Sequence, residues 1–258
     1  MPPSWFLVLW AGALGLIVGS YLNVLAHRLP RGISTVTPRS RCPACGAAIR
    51  ARDNLPVVSW LLLRGRCRDC GAPIPARYPL VEAVTGLAFA GAVARFGFGL
   101  EALVAAVLCA LLVALAAIDV EHLLLPDRLT LPGIALGLGA QLVVSGGSLA
   151  RGLAGALVGA GILLVLAGAW QLLRGVEGMG LGDVKMLAMI GAFLGLGGVM
   201  VTLVLGTLLG SVAGLALVAR GRGTMQLQLP FGFFLAIGGL VAVFAGGPIV
   251  SAYLGLLR

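Results

Sequence analysis

Between Lys185 and Arg220 the chain runs for 34 residues without a charged side chain. A helix needs about 20 apolar residues to cross the hydrocarbon of a bilayer. The run is therefore too long for one span and just long enough for two. Gly195, Leu196, Gly197 and Gly198 supply a break, giving spans at 184–198 and 199–219. Other uncharged stretches predict spans at 5–26, 79–97, 100–118, 129–146, 150–173 and 231–255. The chain is 60% hydrophobic and only 10% charged, far from the balance of a soluble domain. The expected fold is an all-α polytopic membrane protein of about eight transmembrane helices.

The 40 glycines suit that class, because small residues let helix backbones approach closely in lipid. Small-xxx-small pairs at Gly15/Gly19, Gly155/Gly159 and Gly191/Gly195 read as packing. The N-terminal segment has its positive charges after its apolar core, which predicts a retained first span, with the N-terminus outside, and not a cleaved signal.

Charge parity fixes the expected topology. Ten of the 18 basic residues lie between Arg28 and Arg77. Eight spans put that stretch on the cytoplasmic side together with Arg128, Arg174, Lys185, Arg220 and Arg222. Only Arg95, Arg151 and Arg258 are left outside, as the positive-inside rule requires. The net charge of +9 is thus explained by topology and anionic headgroups, and no nucleic-acid partner is expected. Asp119 ends the third span and Asp183 begins the sixth, so both are expected at one face, the cytoplasmic one.

The 28–77 stretch contains RCPACG and RCRDCG, placing Cys42, Cys45, Cys67 and Cys70 in two CxxC pairs, each followed by glycine (Gly46, Gly71). Two thiolate pairs of this spacing make a closed tetrahedral site, which is structural zinc chemistry. A disulfide or an iron–sulfur or redox centre are the rival readings. Cys109, alone in the third span, reads as a small packing residue.

Carboxylates near spans need reasons. Asp53 and Asp69 fall among arginines and are expected solvated or paired with them. Glu101 suits an outer helix start. Glu82 is either a first-turn charge or a contact to the cysteine loop. In IDVEHLLLPDRLTLP, Asp127 reads as an N-cap of the fourth span, and Glu121 and His122 as interfacial groups. Asp119 sits at a helix C-terminus, where the macrodipole disfavours an anion, and Asp183 at a helix N-terminus that favours one. Such a pair could share a proton and activate water for amide hydrolysis. It could equally carry protons in a transporter, and the bare residues leave protease and transporter nearly even. Lys185 is open between an interfacial anchor and a group tuning the aspartates.

Four stretches, in this order, resemble the type IV prepilin leader peptidases, the GxGD-type membrane aspartic proteases: GSYLNVLAHRLPRG, the whole cysteine-bearing loop to RYPLVEAVTG, IDVEHLLLPDRLTLP and GMGLGDVKML. The resemblance covers most of the chain. It implies that Asp119 and Asp183 are the catalytic pair and that the substrates are prepilins or pseudopilins of type IV pili and secretion systems. Their basic leader would be cut on the cytoplasmic side of the bacterial inner membrane. It further implies N-methylation of the new N-terminus from S-adenosylmethionine, with Gly65 and the cysteine region tied to methyl transfer. The expected organisation is a first helix at 1–26, a cytoplasmic zinc-knuckle domain at 27–78 and a transmembrane peptidase domain at 79–258. A peptidase without methylation, a zinc-bearing scaffold and an ion-coupled transporter are the competing readings. The transporter should show inverted repeats and discontinuous midplane helices, and the sequence shows no internal repeat.

Overall fold

The computed structural model describes residues 4–37, 39–175, 180–221 and 229–256. Gly178 and Met179 of the GMGLG motif, and Arg222 and Arg258 of the charge count, lie outside these residues. Among the described residues the protein is all helical: α1 (Trp5–Arg28), α2 (Val58–Leu62), α3 (Arg77–Phe96), α4 (Leu100–His122), α5 (Asp127–Ala140), α6 (Leu149–Arg174), α7 (Leu181–Ala219) and α8 (Phe231–Leu256). Six of them, α1, α3, α4, α6, α7 and α8, are long and apolar enough to cross a membrane. Side chains such as Leu87, Leu157 and Val165 are more than two-thirds exposed. That would be a liability in water and is the ordinary condition in lipid.

The fourth expected span is shorter than 129–146, because α5 has 14 residues and ends at Ala140. The long uncharged run is one 39-residue helix interrupted at Gly195, which takes φ 70 and ψ −170. An unbroken helix of that length would measure about 58 Å, close to twice the hydrocarbon thickness. The break must leave backbone carbonyls without helical partners, and lipid offers none. Gln141, just past α5 and only 2% exposed, donates its Nε2 to Ala192 O (3.0 Å) and Phe193 O (2.7 Å). Arg151 of α6 reaches Leu194 O at 3.4 Å.

The chain divides into two compact units, residues 1–117 and 118–258, with the division inside α4. In the first, α1 packs on α3 through the Gly15/Gly19 pair. A Cβ on Gly15 would stand 2.7 Å from Thr85 O, and one on Gly19 would stand 2.7 Å from Glu82 Cα. In the second, α7 packs against α5, α6 and α8. Gly155 of α6 and Gly191 of α7 meet backbone to backbone, and a Cβ on either would strike the other's carbonyl oxygen. All three small-residue pairs thus contribute glycines to the helix contacts.

Candidate active site and metal centre

The two CxxCG segments fold alike. Cys42 N–H donates to Ala47 O (2.9 Å), and Gly46 N–H donates to Cys42 O (2.8 Å). The second turn repeats this with Cys67 to Ala72 O (2.8 Å) and Gly71 to Cys67 O (2.9 Å). Gly46 and Gly71 both take φ 72, the left-handed region where a side chain is strained. An isolated antiparallel bridge closes each turn, Arg41 with Ala48 and Arg66 with Pro73.

The two turns face each other so that all four sulfurs lie within 4.8 Å of one another. Cys42 Sγ and Cys70 Sγ are 3.9 Å apart. Tetrahedral bonds of about 2.3 Å to zinc require S···S separations near 3.8 Å, so the donor set and its spacing fit that ion. The backbone N–H groups of Cys45, then of Ala44, aim at Cys42 Sγ and bring its thiol down to about 7. At Cys70 the Ala72 N–H acts in the same sense, but burial and the three other sulfurs outweigh it and push the thiol up to about 12.

Charge pairs tie the knuckles together. Arg68 forks onto Asp53 at 2.7 to 3.0 Å, and Arg50 meets Asp69 at 3.2 Å. The Arg68 guanidinium, hydrogen-bonded to Asp53, holds that carboxyl below its ordinary range. Of the two readings for Glu82, the contact to the cysteine loop is the one observed: its Oε2 accepts the Val57 N–H at 2.7 Å. Val57 is a β-branched residue at φ 60, a conformation that needs such a tether.

Gly65 sits where α2 turns into the second knuckle, at φ 67. Its N–H donates to Trp60 O (2.8 Å) and its carbonyl accepts from Ile74 N–H (2.7 Å). A Cβ there would stand 2.9 Å from Trp60 Cζ2, while Trp60 Nε1 donates to Ile74 O at 3.0 Å. The position requires glycine on backbone and space alone.

Both aspartates lie in the second unit. Asp119, 5% exposed, lies in the last turns of α4, and Asp183 is in the first turn of α7. Their carboxylates are close enough to interact electrostatically. Leu125 fills the space between their surroundings. A Cβ on Gly182 would stand 2.9 Å from Leu125 Cβ, and a Cβ on Gly232 would stand 2.9 Å from Leu125 Cδ1.

The puzzle of an anion at the end of α4 is resolved by α8. Asp119 Oδ2 accepts the backbone N–H of Phe233 at 2.9 Å, with Gly232 N–H beside it. These are unpaired donors of the first turn of α8, so a residue 114 positions earlier caps that helix. The sequence reading missed Gly232 and Phe233. The only local signal was Pro230 ahead of an apolar run, which marks a helix start and says nothing of what lies against it.

Asp127 departs from expectation. The N-cap position of α5 belongs to Pro126, and Asp127 is the first helical residue with no side-chain cap bond. Its two oxygens instead receive Lys185 Nζ at 2.6 and 2.8 Å. His122 Nε2 and Glu121 Oε2 are 3.8 Å apart.

Residues 13–96 match the model of the bacterial peptidase A24 N-terminal domain, and residues 106–215 match that of the type IV leader peptidase family. A prepilin leader peptidase/N-methyltransferase of Burkholderia pseudomallei is 42% identical, covering 95% of this chain and 88% of that protein. The chain belongs to the type IV leader peptidase family. Proteins of the same description from Stutzerimonas stutzeri (39% identical, 97% of this chain, 95% of the relative) and Myxococcus xanthus (42%, 81% and 63%) are also similar. No solved structure matches. In this family of membrane aspartic proteases, the N-terminal match contains the four cysteines and Gly65, and the peptidase match contains both aspartates.

Proposed function

We propose that Asp119 and Asp183 are the proteolytic pair of this leader peptidase. The chain removes the leader from type IV prepilins and pseudopilins and N-methylates the exposed N-terminus. The observation that carries the assignment is that Asp119, held at the α8 N-terminus, lies within electrostatic reach of Asp183 in a chain with nine acidic residues. Two carboxylates facing one water cannot both ionise cheaply, so the proposed pair would share one proton. The ionised member takes a proton from the attacking water. The protonated member hydrogen-bonds the scissile carbonyl and then assists the leaving amine. Gly180, with space where a side chain would stand, leaves room beside Asp183 for a substrate chain to approach.

The distribution of basic residues supports a cytoplasmic position for the 27–78 knuckle domain and for both aspartates, with residues 79–258 as the transmembrane peptidase. A substrate cut where its apolar helix enters the bilayer presents its bond at that boundary. Cys42, Cys45, Cys67 and Cys70 would hold zinc, a closed site whose contribution is folding of the knuckle domain. S-adenosylmethionine, when bound, would supply the methyl group to the new amine. Gly65 acts in methyl transfer by shaping the turn between α2 and the second knuckle.

Cleavage of a purified prepilin by the reconstituted enzyme tests the pair. Asp119→Asn and Asp183→Asn should each abolish cleavage, by about 10³-fold or more, while the variants stay folded. Near wild-type cleavage by either would end the assignment.

A further inference from the structure

Lys185 and Asp127 belong to the motifs that carry the aspartates, yet neither has a place in the chemistry above. Their side chains form a two-pronged ion pair, with Nζ at 2.6 and 2.8 Å from the carboxylate oxygens, across 58 residues of sequence. Their side chains are 32% and 55% exposed, and pairs of that exposure contribute little to folding. Stability does not account for the contact.

Its position does. Asp127 opens α5, and Lys185 follows Asp183 by two residues in α7. Residues two apart on a helix do not face one another, so the ammonium acts on the path of the helix and not on the Asp183 carboxylate. The first turn of that helix lacks a side-chain cap: α7 begins with Gly180 as N-cap and Gly182 in its first turn. Glycine there leaves the backbone loose. The connector from α4 to α5 meets this soft turn at two points. Buried Leu125 lies over Gly182 and Gly232, and Asp127 grips Lys185. The same connector begins four residues after Asp119, at Leu123, whose φ is 48.

We propose that Asp127 and Lys185 are positioning residues, a latch that sets where Asp183 stands against Asp119. The idea rests on the dyad reading given above. A displacement of about 1 Å in such a site can cost about 100-fold in rate, whereas an exposed ion pair is dispensable for folding. Activity and stability should therefore separate.

The test uses the full-length enzyme in lipid nanodiscs with a purified prepilin. Asp127→Asn and Lys185→Met should each lower kcat by about 10- to 100-fold. KM should stay within about threefold, and the thermal midpoint within about 2 °C. Because the two act as one unit, the double variant should be no worse than the poorer single one. Lys185→Arg, which keeps the two-pronged contact, should retain most activity. Hydrogen exchange of the amides of Val184, Lys185 and Met186 should quicken in both single variants. Wild-type kcat in either single variant, losses that multiply in the double, an effect confined to Lys185, or unchanged exchange would each overturn the latch. Asp183→Asn run alongside separates the two readings: if it still cleaves, the dyad falls, and exchange alone then judges the latch.

Discussion

At the scale of single residues, the proposed dyad depends on groups with no chemistry of their own. Gly232 contributes an N–H beside Asp119 and, equally, the absence of a side chain. A Cβ there would stand 3.0 Å from Asp119 Oδ2 and 2.9 Å from Leu125 Cδ1. Neither neighbour has room to retreat, since Asp119 and Leu125 are both buried. Gly232→Ala should therefore cut kcat by about tenfold or more with a smaller effect on KM, measured on prepilin cleavage. An unchanged kcat would mean that the α8 N-terminus does not set the Asp119 carboxylate. The site was legible at this scale only in part. Asp119 and Asp183 stood out because a carboxylate beside an apolar run needs a reason. Gly232 did not, because glycine in an apolar helix is commonplace here.

Among the elements, α7 shows how a membrane helix tolerates a break. Gly195 can take the required φ, but the break persists because Gln141 and Arg151 accept the duty of pairing the carbonyls of residues 192–194. Replacing Gln141 by Leu would strand two buried carbonyls, each costing about 1–3 kcal/mol. The expected result is a lower thermal midpoint in detergent, with prepilin cleavage in the surviving folded protein little changed. The break stands twelve residues beyond Asp183, about 18 Å along the axis. A thermal midpoint equal to wild type would show that water or lipid headgroups already serve those carbonyls. The break itself was visible in the sequence as a glycine cluster within a run too long for one span. Its partners were not, since one glutamine near a loop carries no mark of what it will face.

For the whole molecule, the four-cysteine cluster lies in the unit of residues 1–117 and the proposed dyad in the unit of residues 118–258. Purified protein should contain about one zinc per chain, from the four-thiolate stoichiometry, as read by metal analysis. Stripping it with a chelator should open the knuckle turns to limited proteolysis between Arg39 and Arg77 and abolish methylation of the processed pilin. Leader cleavage, which uses residues of the other unit, should largely survive. Equal loss of both activities would mean that the two units depend on each other for folding.

The sequence alone determined the membrane class, the order and approximate ends of the helices, the four-cysteine set and which two carboxylates stand out. Each is a local quantity: hydropathy sums along the chain, a CxxCG turn is specified by its own residues, and a charge beside an apolar run is anomalous wherever the helix points. Tertiary structure alone decided that Asp119 caps α8, that Asp127 meets Lys185, that Glu82 tethers Val57 and that Gln141 serves the broken helix. In water, an apolar stripe tells a helix which face to bury. In lipid both faces are apolar, so rotation and partner are left to close packing at small residues and to polar contacts between segments far apart in sequence.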